Sequence, residues 1–173
     1  MNRELRHWEY SFLMHTRNFG DKVRKGTNPF TGDKFEVPID DGLTLPEKDA
    51  VTNVFAVYGF QGPEPNFEGY ALYLPDDQSV RIRGGDLRGK DPITEFVVEI
   101  IVRELNDDIL KAILEIAQAG NLALMSSVGG DIRLVDRPDD KKALERWPEA
   151  KPIQTTTELQ TWIVDVIGGR EIF

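Results

Sequence analysis

The chain contains no cysteine. That excludes disulfides, thiolate metal ligands and a cysteine nucleophile, and it suits a reducing compartment. Histidine is almost missing as well, with only His7 and His15. On one extended strand these would stand about 26 Å apart at about 3.3 Å per residue, too far to share an ion, so no metal site is expected. Glu, Asp or Arg interrupts every long apolar stretch, which leaves no candidate membrane span. The opening residues MNRELRHWEY carry charge but no apolar run of signal-peptide length, so a cytoplasmic protein is expected. Positive charge is in deficit too. A formal net charge of −9 argues against unspecific binding to nucleic acid or to an anionic membrane.

Sequence signatures of chemistry are equally sparse. RIRGGDLRGK has glycines and four cations but neither the P-loop nor the dinucleotide spacing. No G-x-S-x-G elbow surrounds Ser126 or Ser127. Four Asp-Asp pairs occur (Asp40-Asp41, Asp76-Asp77, Asp107-Asp108 and Asp139-Asp140), yet none belongs to an EF-hand loop, and turn or helix-start positions account for them. No catalytic residue and no cofactor is assigned, and an enzyme is the less favoured reading.

What is present suffices for a fold. A chain of 173 residues is most simply one domain, able to bury roughly 70% of its unfolded surface. The residues from Pro92 to Ser127 organise the rest. Residues 93–105 are dominated by Val, Ile and Thr and put Phe96, Val98, Ile100 and Val102 on one parity, which reads as a strand. Asn106 then caps a helix that turns Ile109, Leu110, Ile113, Leu114, Ile116 and Ala117 inward and ends at Gly120. Residues 122–125 return as a strand. The resulting strand–helix–strand unit at 93–126 is most simply a crossover between parallel strands.

Around that unit, residues 5–14 alternate as a half-buried strand with Trp8, Tyr10, Phe12 and Met14 on one face. Residues 16–33 read as a long turn-rich loop, either mobile or functional. KFEVPI at 34–39 is an edge strand, because Pro38 cannot serve a sheet centre. Thr44-Leu45-Pro46-Glu47 is a capping box opening a helix that buries Val51, Val54, Phe55 and Tyr58 and stops at Gly59. A loop holding Pro63 and Pro65 precedes a hairpin made by FEGYALYLP and SVRIR. DIRLV is a short strand, and 138–147 a short helix with Leu144 and Trp147 inward. A Pro-rich surface connector covers 147–154. A final helix, capped by Thr155 with Glu158, is expected to bury Leu159, Trp162, Ile163, Val166 and Ile167. The expected fold is α+β: one mixed, mostly antiparallel sheet of about six to seven strands with three to four helices packed on it, in a single domain over 1–173.

Two basic segments stand out from the acidic body. Residues 1–25 carry a balance of +3, leaving −12 for the rest. Within the 16–33 segment, Arg17, Lys22, Arg24 and Lys25 form a candidate partner-contact surface. Arg81, Arg83, Arg88 and Lys90 are anion-binding candidates, since glycine lets backbone N–H groups approach a ligand and arginine can grip it bidentately. Glu95 and Glu99 share a mixed strand face. They would either pair with arginines across the sheet or act as an acid/base couple. The favoured function is a non-catalytic protein-binding domain, an inhibitor or immunity type of protein whose acidic surface meets a basic partner. The alternative is a small-anion binder or enzyme using Arg81, Arg83 and Arg88 with Glu95 and Glu99. The chain is expected to be a monomer or homodimer.

Overall fold

The computed structural model describes residues 6–65, 68–127, 130–135 and 140–172. Phe67 of the expected hairpin, residues 138 and 139 of the expected short helix, and the terminal Phe173 lie outside them.

Its centre is β1 (His7–Thr16), paired antiparallel along one side with β7 (Glu95–Val102). The strands β8 (Leu122–Met125) and β11 (Arg170–Ile172) pair with successive parts of β1. Beyond β7 lie β6 (Gln78–Arg83), β5 (Gly69–Leu74) and β4 (Gln61–Glu64). Beyond β8 lie β9 (Ile132–Val135) and β10 (Lys151–Ile153). This nine-stranded sheet is antiparallel except for β9 and β10, which run parallel. A separate two-stranded ribbon is made by β2 (Phe19–Thr27) and β3 (Lys34–Asp40). The architecture is the expected α+β one with a mixed, mostly antiparallel sheet, built from more strands than expected.

The alternation in β1 and β7 places Phe12, Met14, Phe96, Val98, Ile100 and Val102 on one face, all fully buried. Helices cover that face. α1 (Leu45–Tyr58) starts in the expected capping box, with the Thr44 hydroxyl accepting from the Glu47 N–H while the Glu47 carboxylate accepts from the Thr44 N–H. It stops where Gly59 takes a left-handed conformation, φ 86°. α2 (Asp107–Ala119) is capped by Asn106 and buries the expected residues, with Ala112 in addition. α2 lies between α1 and α4 (Thr156–Thr161). The crossover through α2 does join parallel strands, but they are not neighbours: β1 lies between β7 and β8, antiparallel to both. Inserting β1 satisfies the backbone of both strands and gives α2 a wider sheet to cover.

Several expectations need correcting. Residues 16–33 are not a loop; half of them, Phe19–Thr27, form β2. With solvent on both faces β2 has no need to alternate apolar with polar residues, so its strand character leaves no periodic trace, unlike that of β3. The Pro63 loop contains β4, an edge strand paired with β5 at Gln61 and Glu64 with an irregularity between them. The 147–154 connector contains β10, whose Ile153 is buried, and α3 (Lys141–Arg146) links β9 to it. The last helix does not keep one face to its end. After Thr161 it widens into a π-helical segment, Trp162–Ile167, where the Gly168 N–H reaches back five residues to the Ile163 carbonyl. Leu159, Trp162 and Ile163 are buried and Ile167 packs half-buried on the same core, but Val166, inside the wider turn, faces solvent.

Among the described residues, the second sheet face carries a second packed cluster at one end. There Trp147 and Ala143 of the α3 region pack on Phe19, Ala123 and Leu134, with the Trp147 ring edge-on to Phe19 and His15.

Candidate functional site

The sequence singles out RIRGGDLRGK, and the structure divides its cations. Arg81 and Arg83 stand on the second sheet face, directly opposite Glu99 and Val97 of β7. Glu99 accepts from Arg83 diagonally across the strands. Arg88 follows in the loop after β6, where both its backbone N–H and its guanidinium donate to Asp86. That engagement holds the Asp86 carboxyl below its ordinary range, the Arg88 side-chain hydrogen bond being the main cause. Lys90 is exposed. The four cations therefore do not converge on one point.

Two adjoining concavities lie at this end of the sheet, sharing Glu68, Gly84 and Gly85. The larger, about 610 Å³, is walled by Pro63, Pro92 and Ile93 and carries Glu64, Glu68, Asp86 and Asp91 against Arg88 alone. The smaller, about 550 Å³, holds Arg83 beside Glu68, Glu95 and Val97. Gly84 is required between them: a Cβ there would lie 2.3 Å from the Glu95 carbonyl oxygen. With four carboxylates against Arg88, which Asp86 already engages, the larger concavity presents net negative charge. That favours a cation over an anion.

The floor is rigid. Tyr70 of β5 accepts a hydrogen bond from the Leu87 N–H at 3.1 Å, and burial pushes its phenol above the ordinary value. Lys48 of α1 is buried and donates to the Gly89 carbonyl at 3.1 Å and the Asp91 carbonyl at 3.3 Å. No motif marked Lys48. A lysine among the inward positions of a helix was the available signal, because a buried ammonium must find acceptors.

The other basic set also splits. Arg17 is 5% exposed; it donates to the Asn121 side chain at 2.8 Å and to the Val135 carbonyl at 2.9 Å, tying β1 to the α2–β8 turn and to β9. It therefore belongs to the packing between elements rather than to an outer contact surface. Lys22, Arg24 and Lys25 stand exposed on the β2–β3 ribbon, and none of them lines either concavity. The two basic segments do not merge into one site.

His7 and His15 occupy opposite ends of β1. His7 contacts the Asp76 carbonyl at 2.8 Å, and His15 lies 3.7 Å from the buried Asp40 carboxylate at the ribbon's root. Among the described residues, no three His, Asp or Glu side chains group as a cation would require, and no helix is long and apolar enough to cross a membrane.

The helical layer shows a different electrostatic pattern. Along α1, α2, α4 and the π segment, Asp49, Asp107, Asp108, Glu115, Glu158 and Asp165 are exposed, whereas Lys111 is the one exposed cation. Lys111 pairs with Asp107 at 3.0 Å one helical turn away. Lys48 contributes nothing to this surface because it is buried. Leu45 and Val57 of α1 project beside the carboxylates at 74% and 78% exposure. No family model, no curated protein and no solved structure matches the chain.

Proposed function

We propose that this chain is a non-catalytic protein-binding domain of the inhibitor or immunity type, whose acidic helical layer receives a basic partner. The observation that carries the reading is the charge of that layer. Its carboxylates come from adjacent helices that share one rigid sheet, and its sole exposed cation is neutralised by a neighbour. Such a surface raises the local concentration of a cationic partner and steers its approach. Leu45 and Val57 offer apolar points among the charges, as interfaces need at their centre. A small-anion binder or enzyme built on Arg81, Arg83 and Arg88 with Glu95 and Glu99 is less well supported, since Arg83 and Arg88 already hold carboxylates of this chain.

The test is capture of a stoichiometric basic partner at low ionic strength, followed by association kinetics. The on-rate should fall steeply with added salt, and Asp108→Lys with Glu115→Lys should lower it further while leaving the fold intact. A salt-independent on-rate, or one unaffected by the double charge reversal, overturns the reading. A rise in thermal stability with phosphorylated or carboxylated metabolites would favour the anion-binding alternative instead.

A further inference from the structure

Residues 22–36 form an arm in which no described side chain is buried, carried by two strands that, among the described residues, pair only with each other. A lone two-stranded ribbon is marginal at best in water. Phe35, Val37 and Ile39 alternate onto one face, with Phe35 opposite Gly26 and Val37 opposite Arg24. The Phe35 ring covers Gly26 so closely that a Cβ there would lie 2.4 Å from its Cζ. Even so, Phe35 and Ile39 stay about two-fifths exposed, and Phe30 at the tip is 95% exposed. On that face Arg24 stands opposite Val37, with Lys22 exposed two residues before it, while Lys34 and Lys25, the latter 3.4 Å from Glu36, stand on the other face. An apolar stripe edged with cations fits an acidic concavity with apolar walls.

This chain has such a concavity, the cleft of about 610 Å³ bearing Glu64, Glu68, Asp86 and Asp91 between Pro63 and Pro92. The arm springs from the same end of the sheet. Leu43, just after β3, donates its N–H to the Ile93 carbonyl at 2.9 Å, and Thr16, just before β2, donates to the Thr94 carbonyl at 2.9 Å. Ile93 is itself a cleft wall. With arm root and cleft adjoining, a two-fold axis beside them lays each arm over the other copy's cleft, a closed and self-complementary arrangement.

We propose that two copies of this chain form a dimer by exchanging β2–β3 arms, each arm seated in the acidic cleft of the other copy. A ribbon about 30 Å long and about 10 Å wide covers about 300 Å². Two arms and two receiving surfaces then bury about 1,200 Å² in total, the lower end of what specific interfaces use. The dimer is therefore weak and salt-sensitive. It leaves the acidic helical layer free, so it stands or falls separately from the function proposed above.

Sedimentation of the full chain at low salt tests the exchange. The wild type should dimerise reversibly and dissociate as salt is raised. An arm-reversed variant (Lys22→Glu with Arg24→Glu) and a cleft-reversed variant (Glu68→Lys with Asp91→Lys) should each be monomeric. Mixed one to one, they should recover the dimer, because each reversed arm now meets a cleft of opposite sign. All four positions are exposed, and Phe35→Ser provides an uncharged check that should also yield a monomer. A wild type monomeric up to about 1 mM overturns the proposal. So does a dimer that survives the arm-reversed, cleft-reversed or Phe35→Ser change, or a mixture that stays monomeric.

Discussion

The β1–β7 pair and the β2–β3 pair are both antiparallel ladders, yet they hold opposite positions in the molecule. In β7, and in β1 from Tyr10 onward, every second side chain is sealed in the core under the helices, while Trp8 at the start of β1 stays exposed. In the arm, nothing described between residues 22 and 36 is buried. The same backbone hydrogen bonding therefore coexists with very different stabilities. Ladder hydrogen bonds exchange water partners for protein partners at small net gain, and apolar burial supplies most of the difference. The sheet centre should open only with global unfolding, while the arm should open locally at far lower cost.

The widest separation comes from truncating a phenylalanine in the first region. Phe12 is fully buried, with its ring 5.4 Å from that of Trp162 and edge-on to it. Phe12→Ala removes that packing and leaves a cavity between sheet and helix, so it should cost about 3–5 kcal/mol in denaturant unfolding. A cost under 1 kcal/mol would mean that the centre can collapse around the gap, and the contrast between the two ladders would lose its basis.

The next effect lies where the C-terminal helix docks. Asp131 accepts from the Arg133 guanidinium and from the Trp162 indole, each at 2.9 Å. Partial burial disfavours its ionised form, but the hydrogen bonds from Arg133 and Trp162 outweigh this and hold the carboxyl below its ordinary range. The group is more acidic folded than unfolded. Its stabilisation is thus present above about pH 4, the unfolded value, and is lost as pH falls through the lower native value. Asp131→Asn should cost about 1–2 kcal/mol at neutral pH, allowing for partial exposure to water, and should flatten the acid limb of stability against pH. An unchanged acid limb would remove Asp131 from the docking contact.

Which parts of the molecule were legible follows from the same comparison. A strand with one buried face must alternate, and β1 and β7 do. A helix against a sheet must repeat its apolar residues near 3.6, and α1 and α2 do so between recognisable caps. Of the arm, β3 was legible from its alternation, but β2 escaped because solvent on both faces removes the demand for it. β10 escaped because three residues, one of them Pro152, carry no period. Val166 was misplaced because the π turn after Thr161 breaks the helical repeat without any proline or glycine to announce it. The electrostatics of the cleft were hidden for a different reason. RIRGGDLRGK is basic by itself, but Glu64 and Glu68 reach the cleft from the β4–β5 segment and Asp86 engages Arg88. Charge at a site is a property of what the fold assembles, so a basic run in sequence can end as part of an acidic wall. The acidity of the helical layer was foreshadowed only as overall charge; its concentration on adjacent helices depends on α2 lying between α1 and α4.

A smaller change sharpens the boundary between the two regions. Thr44 caps α1 just beyond the root of the arm, and its hydroxyl takes the Glu47 N–H at 3.3 Å. Thr44→Ala leaves that donor to water and loosens the reciprocal bond from Glu47, so about 1 kcal/mol should be lost. Glu47 also accepts from Asn18 at 2.6 Å, and Asn18 reaches the Gly42 carbonyl at 2.8 Å. Hydrogen exchange should therefore rise at the arm's root as well as in the first turn of α1. Exchange confined to the helix would show that cap and root are uncoupled.

The smallest expected effect mirrors the largest. Phe30 is 95% exposed at the arm's tip, so Phe30→Ala removes almost no buried surface. In salt high enough to keep the chain monomeric, its unfolding free energy should match that of the wild type within about 0.5 kcal/mol. The amides of the arm should exchange far faster than those of β1 and β7 in both proteins. One substitution of the same chemistry then costs several kcal/mol in the buried ladder and nothing measurable at the tip of the exposed one. If Phe30→Ala instead destabilises the monomer by more than about 1 kcal/mol, the arm packs on its own body in solution. It would then not be free for a second copy.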